Sequence, residues 1–478
     1  MRVLLINPIS QQGELVIRTG RCQIKCLPGI GVYPPIDLAY IATSLRKDYR
    51  IIVEIHDGAI SGEYSNILAK VTDFKPELVI MNCTTPTLKE DQKLAEDIKL
   101  INSNIIIAVF GLHASVQPED VFMCNGLRTS VDCILQNEFE ITAFELCQAI
   151  INGQEIDNVK GITYCDNDGH IYRSMRDEIT NLDVLGFPDR GLLDNHYYKL
   201  QYNNEPYTII QTSRGCANSC IYCTATVLEN KRIAQRSVDS VIEEIKCIIN
   251  TYGIKNVMFL SDTFTASKKW VKELCQKIIE NKIDLKWMAN SRVDKIDLET
   301  AQLMKRAGCW IISLGIESAN DDILKKAKKN TTVAQINDAL QIFKKAKIKT
   351  IGYFMFGLPG ENRTTIKNTI RFARKSSVDF GYFYIATPYP GTEFYKLAVA
   401  NKWLKSKDWS RYFNGDADVI EYPYLSSTDM RLAVKRAYFW FYFNPKRIMN
   451  RLTEIRSTFL LKKYIEIASS IIKRIFGK

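Results

Sequence analysis

Apolar runs and amphipathic stretches alternate along the first part of the chain. Short runs rich in Val, Ile and Leu, such as residues 3–6 and 78–81, are separated by stretches in which apolar residues recur every three to four positions, as in residues 34–47. Continuous apolar strands between amphipathic helices are typical of a parallel sheet that is covered on both faces. The pattern predicts an α/β fold over residues 1–150, a doubly wound Rossmann-like domain whose ligands bind at the carboxyl ends of the strands.

A second alternating series begins near residue 206 and contains six strand–helix units. The series predicts a partial (β/α)6 barrel over residues 206–400, with its site at the carboxyl rim of the strands. Residues 151–205 are less periodic and are predicted to be a linker that contains a β-hairpin turning at residues 167–169. Residues 401–478 are predicted to form a helical C-terminal region.

Length, cysteine usage and charge narrow the classes of protein further. The 478 residues are enough for about two to four domains, and no apolar window approaches the ~18 residues of a membrane-spanning helix. The 13 cysteines form an odd set without a secretion signal, which favours a reducing, cytoplasmic compartment over a disulfide framework. The net charge is +11, of which residues 445–478 contribute +7, so the excess marks a tail and argues against a nucleic-acid partner.

The strongest chemical signal is a group of three cysteines directly after the first strand of the second series: Cys216, Cys220 and Cys223. Three thiolates can hold three irons of a cubic iron–sulfur cluster, which leaves the fourth iron open for a catalytic role. A zinc site would need a fourth ligand nearby. Cys22 and Cys26 are too few to hold a second cluster and are expected to be plain thiols.

These cysteines and the segments after the later strands resemble the motifs of the radical S-adenosylmethionine (SAM) superfamily. An aromatic residue, Tyr222, precedes the third cysteine, and residues 260–264, 315–321, 356–361 and 386–392 follow the second, fourth, fifth and sixth strands. The resemblance covers the whole second series and implies a 4Fe–4S cluster that binds SAM at its open iron. Reductive cleavage of SAM would form a 5′-deoxyadenosyl radical that abstracts hydrogen from an unactivated carbon.

The resemblance also indicates which side chains bind SAM. Asp262 is expected to accept a hydrogen bond from the SAM amino group, while capping of a helix over residues 266–280 is an equally good explanation of this aspartate. Arg292 is expected to pair with the SAM carboxylate, and a surface ion pair is its ordinary alternative. For the glycine-rich loop after the fifth strand, close approach to the adenosine competes with a simple turn. The remaining expected SAM contacts are Tyr222, Glu317, Ser318, Gly357 and Pro359.

The first domain resembles the cobalamin-binding domain that often precedes a radical SAM barrel. The Asp-x-His-x-x-Gly motif that supplies a histidine to cobalt is absent, and the family's loop glycines are replaced at Phe110, Asn137 and Phe139. The domain is therefore expected either to hold cobalamin without a protein ligand to cobalt or to be a scaffold alone. The positions expected to contact cobalamin are Thr84, Thr85, Gly111 and Glu138.

The combined organisation resembles the cobalamin-binding radical SAM family, which includes methyltransferases, the anaerobic Mg-protoporphyrin ester cyclase and lipid-modifying enzymes. It implies methylation of an unactivated carbon of an apolar or natural-product-like substrate. A cobalamin-independent rearrangement or ring closure is the alternative. A tRNA methylthiotransferase is disfavoured by the cysteine placement and the helical C-terminus. A non-enzymatic iron–sulfur or cobalamin-binding protein is disfavoured by the SAM motifs.

The expected partners are an electron donor such as flavodoxin or ferredoxin and a small-molecule substrate, which would be lipid-like or otherwise apolar if the C-terminal helix lies on a membrane. The last predicted helix, residues 459–476, has an apolar face opposite a basic one. Such a helix either lies on an anionic membrane surface or packs its apolar face on the barrel. The apolar row contains Leu461, Ile465, Ala468, Ile472 and Phe476, with Leu460, Tyr464, Ile471 and Ile475 beside it, and the opposite basic face contains Lys462, Lys463, Lys473 and Arg474.

Overall fold

The computed structural model describes residues 1–19, 24–25, 31–228, 232–413, 418–455 and 458–476. Cys22 and Cys26 lie outside these residues, so their prediction as plain thiols stays a prediction. Strands and helices alternate as expected, in two sheets that are followed by a helical region. None of the described helices is both long and apolar enough to cross a membrane.

The first sheet has seven strands in the order β7–β6–β5–β4–β3–β1–β2. Strands β1 to β5 are parallel, and β6 and β7 form an antiparallel hairpin at the edge next to β5. The strands are β1 (Arg2–Asn7), β2 (Ile52–Asp57), β3 (Leu78–Asn82), β4 (Ile106–Phe110), β5 (Cys133–Leu135), β6 (Ile162–Cys165) and β7 (Ile171–Arg173). The longer helices that cover the sheet are α1 (Ile36–Leu45), α2 (Tyr64–Phe74), α3 (Leu88–Ile101) and α4 (Phe139–Ile151).

The apolar strands of this sheet face two separate cores. Successive side chains of a strand point to opposite faces, so Leu4 and Ile6 enter one core while Val3 and Leu5 enter the other. Burial on both faces explains why the strands are apolar at every position, and it confirms the doubly wound domain. The predicted hairpin is present and extends this sheet beyond residue 150.

The second sheet is a partial barrel of six parallel strands in chain order. This confirms the predicted (β/α)6 architecture. The strands are β8 (Tyr207–Gln211), β9 (Asn256–Leu260), β10 (Lys286–Ser291), β11 (Cys309–Glu317), β12 (Lys349–Phe356) and β13 (Phe380–Ile385). The longer helices around them are α5 (Val238–Tyr252), α6 (Lys268–Glu280), α7 (Leu298–Arg306), α8 (Asp321–Lys326), α9 (Val333–Lys345), α10 (Arg363–Lys375) and α11 (Glu393–Ala400).

Polar caps fix where most of the barrel helices begin, and therefore how long the loops at the carboxyl rim are. Each cap side chain accepts a hydrogen bond from a backbone N–H in the first helical turn, which would otherwise lack a partner. The capping residues are Ser237, Ser267, Asp297, Thr332, Asn362 and Thr392.

The segment between the two sheets packs against both of them. Leu182, Leu185 and Tyr198 share one apolar core with Tyr40 of α1 and Tyr207 of β8. The Tyr198 hydroxyl also donates a 2.7 Å hydrogen bond to Asp57 at the end of β2. The segment therefore holds the two sheets together.

The predicted helical region of residues 401–478 is α-helical only from residue 427 onward, as α12 (Ser427–Tyr442), α13 (Pro445–Glu454) and α14 (Thr458–Phe476). The described part of residues 401–426 is loop with one short 3-10 helix at Trp409–Arg411, so the prediction was wrong there. Helix α12 packs on α10 and β13. On α14, Ile471 and Ile475 pack against the barrel core. Leu461, Ile465 and Ile472 of the predicted apolar row remain 43%, 60% and 43% exposed. The helix thus contacts the protein through a neighbouring row, and the predicted row is left uncovered.

A buried ion triad generates the first prediction. Arg190 of the connecting segment lies 2.6 Å from Glu244 of α5, and Arg236 donates to the other oxygen of the same carboxylate. We expect Glu244→Ala to lower the free energy of unfolding by about 3–5 kcal/mol, because two guanidinium groups stay buried without a counter-charge. Urea unfolding followed by circular dichroism measures the change.

The matched control is Glu243→Ala on the same helix, whose exposed carboxylate pairs with Lys246. It should change the free energy of unfolding by less than about 1 kcal/mol. Equal effects of the two substitutions would contradict a structural role for the triad.

Candidate active site

A cavity of about 690 Å³ lies where the carboxyl ends of both parallel sheets face each other. Its wall includes residues of the loops after β4 and β5 in the first sheet and of all six barrel strands or the loops that follow them. Carboxyl-end placement is where both fold types bind ligands. The predicted site residues that line it are Gly111, Glu138, Cys216, Cys220, Tyr222, Cys223, Asp262, Arg292 and Glu317.

The three predicted cluster cysteines share one loop of the cavity wall, and none of them is in a disulfide. Asn218 donates a 3.1 Å hydrogen bond to the Cys216 sulfur. Burial raises the pKa of the Cys220 thiol, while the nearby charges of Lys329 and Arg292 lower it. Three thiols that face a cavity, with cations beside them, are a donor set suited to a 4Fe–4S cluster with one open iron.

Asp262 holds the loop that carries the cysteines. Its carboxylate accepts a 2.8 Å hydrogen bond from the backbone N–H of Gly215, directly before Cys216. The alternative role as a helix cap is wrong, because Ser267 caps α6. Asp262 also lines the cavity, so its expected contact with the SAM amino group stays a prediction.

Arg292 is buried rather than part of a surface ion pair. Its guanidinium donates to Asp294 and to the carbonyl oxygen of Lys329, both at 2.8 Å. The Lys329 ammonium in turn donates at 2.9 Å to Glu317, which ends β11 with a φ of 62° in the left-handed region. A non-glycine residue in that region is strained, and such strain is often found at functional sites.

Lys329 is a site residue that the sequence analysis missed. It lies between α8 and α9, outside every motif, and only the fold brings it to the cysteines. Gly315 makes room for it: a Cβ there would lie 2.7 Å from the ammonium nitrogen and 2.6 Å from a Glu317 oxygen. In the sequence, the glycine at Gly315 was the one local sign that another side chain packs against this strand.

Three of the expected SAM contacts do not line the cavity: Ser318, Gly357 and Pro359. The Ser318 hydroxyl is buried near Thr369. Gly357 has a φ of 86° and donates its N–H to Glu361, whose pKa burial raises to about 8. These contacts account for a turn, and a role toward SAM stays a prediction for all three residues.

Gly111, at the end of β4, is tightly constrained. Its φ is 133°, and a Cβ there would lie 2.2 Å from the carbonyl oxygen of Cys83. Thr84 and Thr85 do not line the cavity: Thr84 bonds to Thr87 at 2.6 Å, and Thr85 lies 3.3 Å from His113. Their expected cobalamin contacts stay predictions.

The two phenylalanines that replace family glycines contact each other. The ring centroids of Phe110 and Phe139 are 4.6 Å apart, and Phe110 is fully buried. The guanidinium of Arg214 lies 5.4 Å from the Phe139 ring. The added bulk is therefore taken up by packing between the loops, which leaves the loops after β4 and β5 on the cavity wall.

Arg214 joins the two domains directly at the cysteine loop. It donates to Glu138 at 2.9 Å and to Glu140 at 2.7 Å, across 76 and 74 residues of chain. Burial raises the pKa of the neighbouring Asp37 to about 6, while Arg214 lowers it. Sequence reasoning missed this bridge because nothing local relates Arg214 to two glutamates of another domain.

The constraint at Gly111 generates the second prediction. We expect Gly111→Ala to lower the free energy of unfolding by about 3 kcal/mol, since positive-φ strain and overlap with the Cys83 carbonyl add up. Hydroxocobalamin retained after desalting should fall by at least tenfold. Gly126→Ala is the matched control, because its φ is 79° but its Cβ would meet open space. It should cost about 1 kcal/mol and leave retention unchanged. Equal retention by both variants would contradict the prediction.

Two family models match this chain. The model of the radical SAM superfamily matches residues 210–373, and that of the B12 binding domain matches residues 30–146. The first range contains the three cysteines, and the second contains the strand-end loops around Gly111 and Glu138. The match therefore covers both walls of the cavity.

Full-length relatives have the same organisation. The chain is 33% identical to an uncharacterized methyltransferase of Pyrococcus horikoshii over 97% of both chains. It is 27% identical to the bacteriochlorophyllide d C-12(1)-methyltransferase of Chlorobaculum tepidum, over 99% of this chain and 89% of the relative. It is 26% identical to the anaerobic magnesium-protoporphyrin IX monomethyl ester cyclase of Rubrivivax gelatinosus, over 83% of this chain and 70% of the relative.

Solved structures share the fold. The cobalamin-dependent SAM radical enzyme OxsB, with aqua-cobalamin and SAM bound, aligns with a TM-score of 0.75 over 99% of this chain and 72% of its own, at 14% identity. The methyltransferase TsrM of Kitasatospora setae, with cobalamin and its cluster bound, aligns with a TM-score of 0.66 over 85% and 79%, at 18% identity. The chain therefore belongs to the radical SAM superfamily, among the enzymes that carry an N-terminal B12 binding domain and use a 4Fe–4S cluster, SAM and cobalamin.

Proposed function

We propose that the protein cleaves SAM reductively at its cluster and methylates an unactivated carbon of an apolar small molecule, with cobalamin as the methyl carrier. One observation carries the proposal: a single cavity is lined by the three cysteines and by strand-end loops of the B12-type domain. When bound, the cofactors supply hydrogen abstraction from carbon and a transferable methyl group. A shared cavity allows both reactions to reach one substrate without its release.

The side chains around the cavity have separate roles in this proposal. Cys216, Cys220 and Cys223 bind three irons, and the cations of Lys329 and Arg292 stabilise the negative charge of the thiolates. Arg214, through Glu138 and Glu140, keeps the methyl-carrier domain against the cysteine loop. Each role is one of binding or positioning, since the cofactors carry the bond-breaking chemistry.

The barrel part of the cavity supports an apolar substrate. Met258, Leu260, Met288, Ile351 and Met355 line it. Apolar walls exclude water, which protects reactive species from side reactions. We also propose that the reducing electron comes from a small carrier protein such as flavodoxin or ferredoxin.

A cobalamin-independent ring closure or rearrangement is the second candidate reaction. The similarity to a monomethyl ester cyclase favours it, and so does the lack of an Asp-x-His-x-x-Gly motif. Cobalt content separates the two candidates. Anaerobic reconstitution with iron, sulfide and hydroxocobalamin should give about four irons and one cobalt per chain if methyl transfer is right. Four irons without cobalt would leave only the second candidate.

The third prediction concerns the cluster itself. Cys216→Ala, Cys220→Ala and Cys223→Ala should each abolish formation of 5′-deoxyadenosine and methionine from SAM by the reduced protein, because one iron loses its protein ligand. Chromatography of the reaction mixture measures both products, and circular dichroism confirms that each variant is folded. Cys247→Ala is the matched control, since this thiol is exposed on α5, and it should retain full cleavage. Undiminished cleavage by any of the first three variants would overturn the proposal.

We further propose that the C-terminal helices contact an anionic membrane surface. Along α14, Leu461, Ile465 and Ile472 form one exposed row at helical spacing. At about 100° per residue, Lys462 and Lys473 lie on the side of this row that points away from the packed residues. Going around the helix axis, the row that packs on the protein is followed by the exposed apolar row and then by the basic row. This order suits a helix that lies in the lipid headgroup region.

Helix α13 also leaves an apolar row uncovered. Ile448, Met449 and Leu452 are 42%, 61% and 54% exposed. Arg447 and Arg451 face the protein, where they donate to backbone carbonyls near the end of α10. Two adjacent helices thus leave an apolar row uncovered, in a region of net positive charge that complements anionic lipids.

Vesicle binding is the fourth prediction. The protein should co-sediment with phosphatidylcholine vesicles containing 30 mol% phosphatidylglycerol, at least fivefold more than with pure phosphatidylcholine. Ile465→Glu should reduce this binding at least fivefold, because it places a charge in the apolar row. Leu100→Glu is the control, since Leu100 is 82% exposed on α3 in the first domain, and it should bind as the wild type does. Lack of vesicle binding, or a dimer that Ile465→Glu dissociates in light scattering, would overturn the membrane contact.

A further inference from the structure

Three tyrosines form one wall of the cavity inside the barrel. Tyr353 of β12 pairs in register with Tyr382 of β13, and Tyr384 stands two residues further along β13. Their ring centroids are 5.7 to 6.3 Å apart, with interplanar angles of 9° to 32°. All three line the cavity and are only partly buried. The wall therefore offers a nearly continuous aromatic surface on the inside of two strands, which we call the tyrosine shelf.

A polar pair lies on the strands next to the tyrosine shelf. Asn290 of β10 and Ser313 of β11 are register partners, and both line the cavity. Asn290 is exposed although β10 is a central strand, which is possible only because its side chain faces the cavity. Among the described residues, neither side chain has a hydrogen-bonding partner. They are left to bond with a ligand or with water.

Charged groups are confined to the rim of the barrel. Of the residues of the six barrel strands that line the cavity in the described chain, the only charged one is Glu317, at the carboxyl end of β11. The charged residues near the cysteines, among them Asp262, Arg292 and Lys329, lie outside these six strands. An ionic group placed against the tyrosine shelf would be desolvated without a counter-charge, which is costly.

The shelf is adjacent to the cluster side of the cavity. Gly315 pairs in register with Tyr353, and it is the glycine that makes room for the Lys329–Glu317 ion pair beside the cysteines. A planar group on the shelf thus lies against the wall that leads to the predicted SAM contacts. Aromatic rings attract one another in offset-stacked or edge-to-face arrangements.

We propose that the tyrosine shelf binds the substrate through an uncharged, planar conjugated ring, which carries a hydrogen-bonding group for Asn290 and Ser313. This inference rests on the proposed function, because it takes the cavity as the substrate site. It adds the chemical class: the part of the substrate inside the barrel is aromatic or heteroaromatic and neutral, and the carbon that reacts belongs to this ring or is attached to it.

The test uses equilibrium dialysis of the anaerobically reconstituted full-length protein, with chromatographic measurement of two probes. The first is 6-propionyl-2-dimethylaminonaphthalene, a planar neutral ring system with a carbonyl acceptor for the Asn290 amide. The second is the anionic 8-anilinonaphthalene-1-sulfonate. The neutral probe should bind saturably, at least fivefold more tightly than the anionic one. Weak, non-saturable binding of the neutral probe, or equal affinity for both probes, would overturn the assignment.

Substitutions in the tyrosine shelf test whether the neutral probe binds there. Tyr382→Ala and Tyr353→Ala should each weaken binding of the neutral probe about fivefold, while Tyr382→Phe should stay within twofold because it keeps the ring. Asn290→Ala should weaken it about threefold. Tyr49→Ala, at a tyrosine that is 94% exposed in the first domain, is the matched control and should have no effect. Probe binding that survives Tyr382→Ala would rule out the shelf.

Iron content and SAM cleavage are measured on the same preparations. Iron at the wild-type level shows that a variant has folded and kept its cluster, so a loss of probe binding then reports the shelf alone. If the wild-type protein binds the neutral probe as expected but does not cleave SAM, the proposed function fails and the aromatic site remains. The two failures are therefore distinguishable.

Discussion

The relative position of the two domains at the cysteine loop depends on Arg214, whose guanidinium is partly buried two residues before the first cluster cysteine. It pairs with Glu138 and Glu140 of the B12-type domain and lies over the Phe139 ring. Breaking a buried pair leaves an uncompensated charge, which costs several kcal/mol, so the bridge tolerates little displacement. Because one end of this bridge is in the cysteine loop and the other in a strand-end loop of the first sheet, it fixes the distance across the cavity that both cofactors must share.

The same loop explains how the domain accommodates its departures from the family pattern. Phenylalanines replace glycines at Phe110 and Phe139, and the structure stacks one ring against the other. Glu138, directly before Phe139, has a φ of 55°. Its backbone therefore keeps the left-handed conformation that a glycine adopts most easily. The two larger side chains are thus accommodated by packing between the loops, and the Phe139 ring also contacts the Arg214 guanidinium.

Periodicity predicted both sheets, because burial on two faces requires apolar strands at every position, and the cysteine spacing predicted the cluster loop. Contacts between side chains and residues far away in the sequence were not predicted. Lys329 reaches Glu317 only through the fold, and Asp262 turned out to hold the backbone of Gly215. The tail illustrates the limit of periodicity itself. Two neighbouring rows of α14 are apolar, and packing against the barrel, which the sequence does not encode locally, selects the row of Ile471 and Ile475.

The distribution of charge in the cavity has a physical logic of its own. Ionic groups at the rim suit the charged groups that meet there, which are the cysteine thiolates and the amino and carboxylate groups of SAM. They also suit the negative charge that an electron adds to the cluster. In the reaction proposed above, hydrogen abstraction and methyl transfer would develop little charge on the substrate, so the interior would need shape and exclusion of water more than fixed charges. An uncharged aromatic wall meets both needs, since it would hold a flat substrate by contact area and carries no fixed charge. Neutral hydrogen-bonding groups on the strands, among them Asn290 and Ser313, are then left to provide specificity.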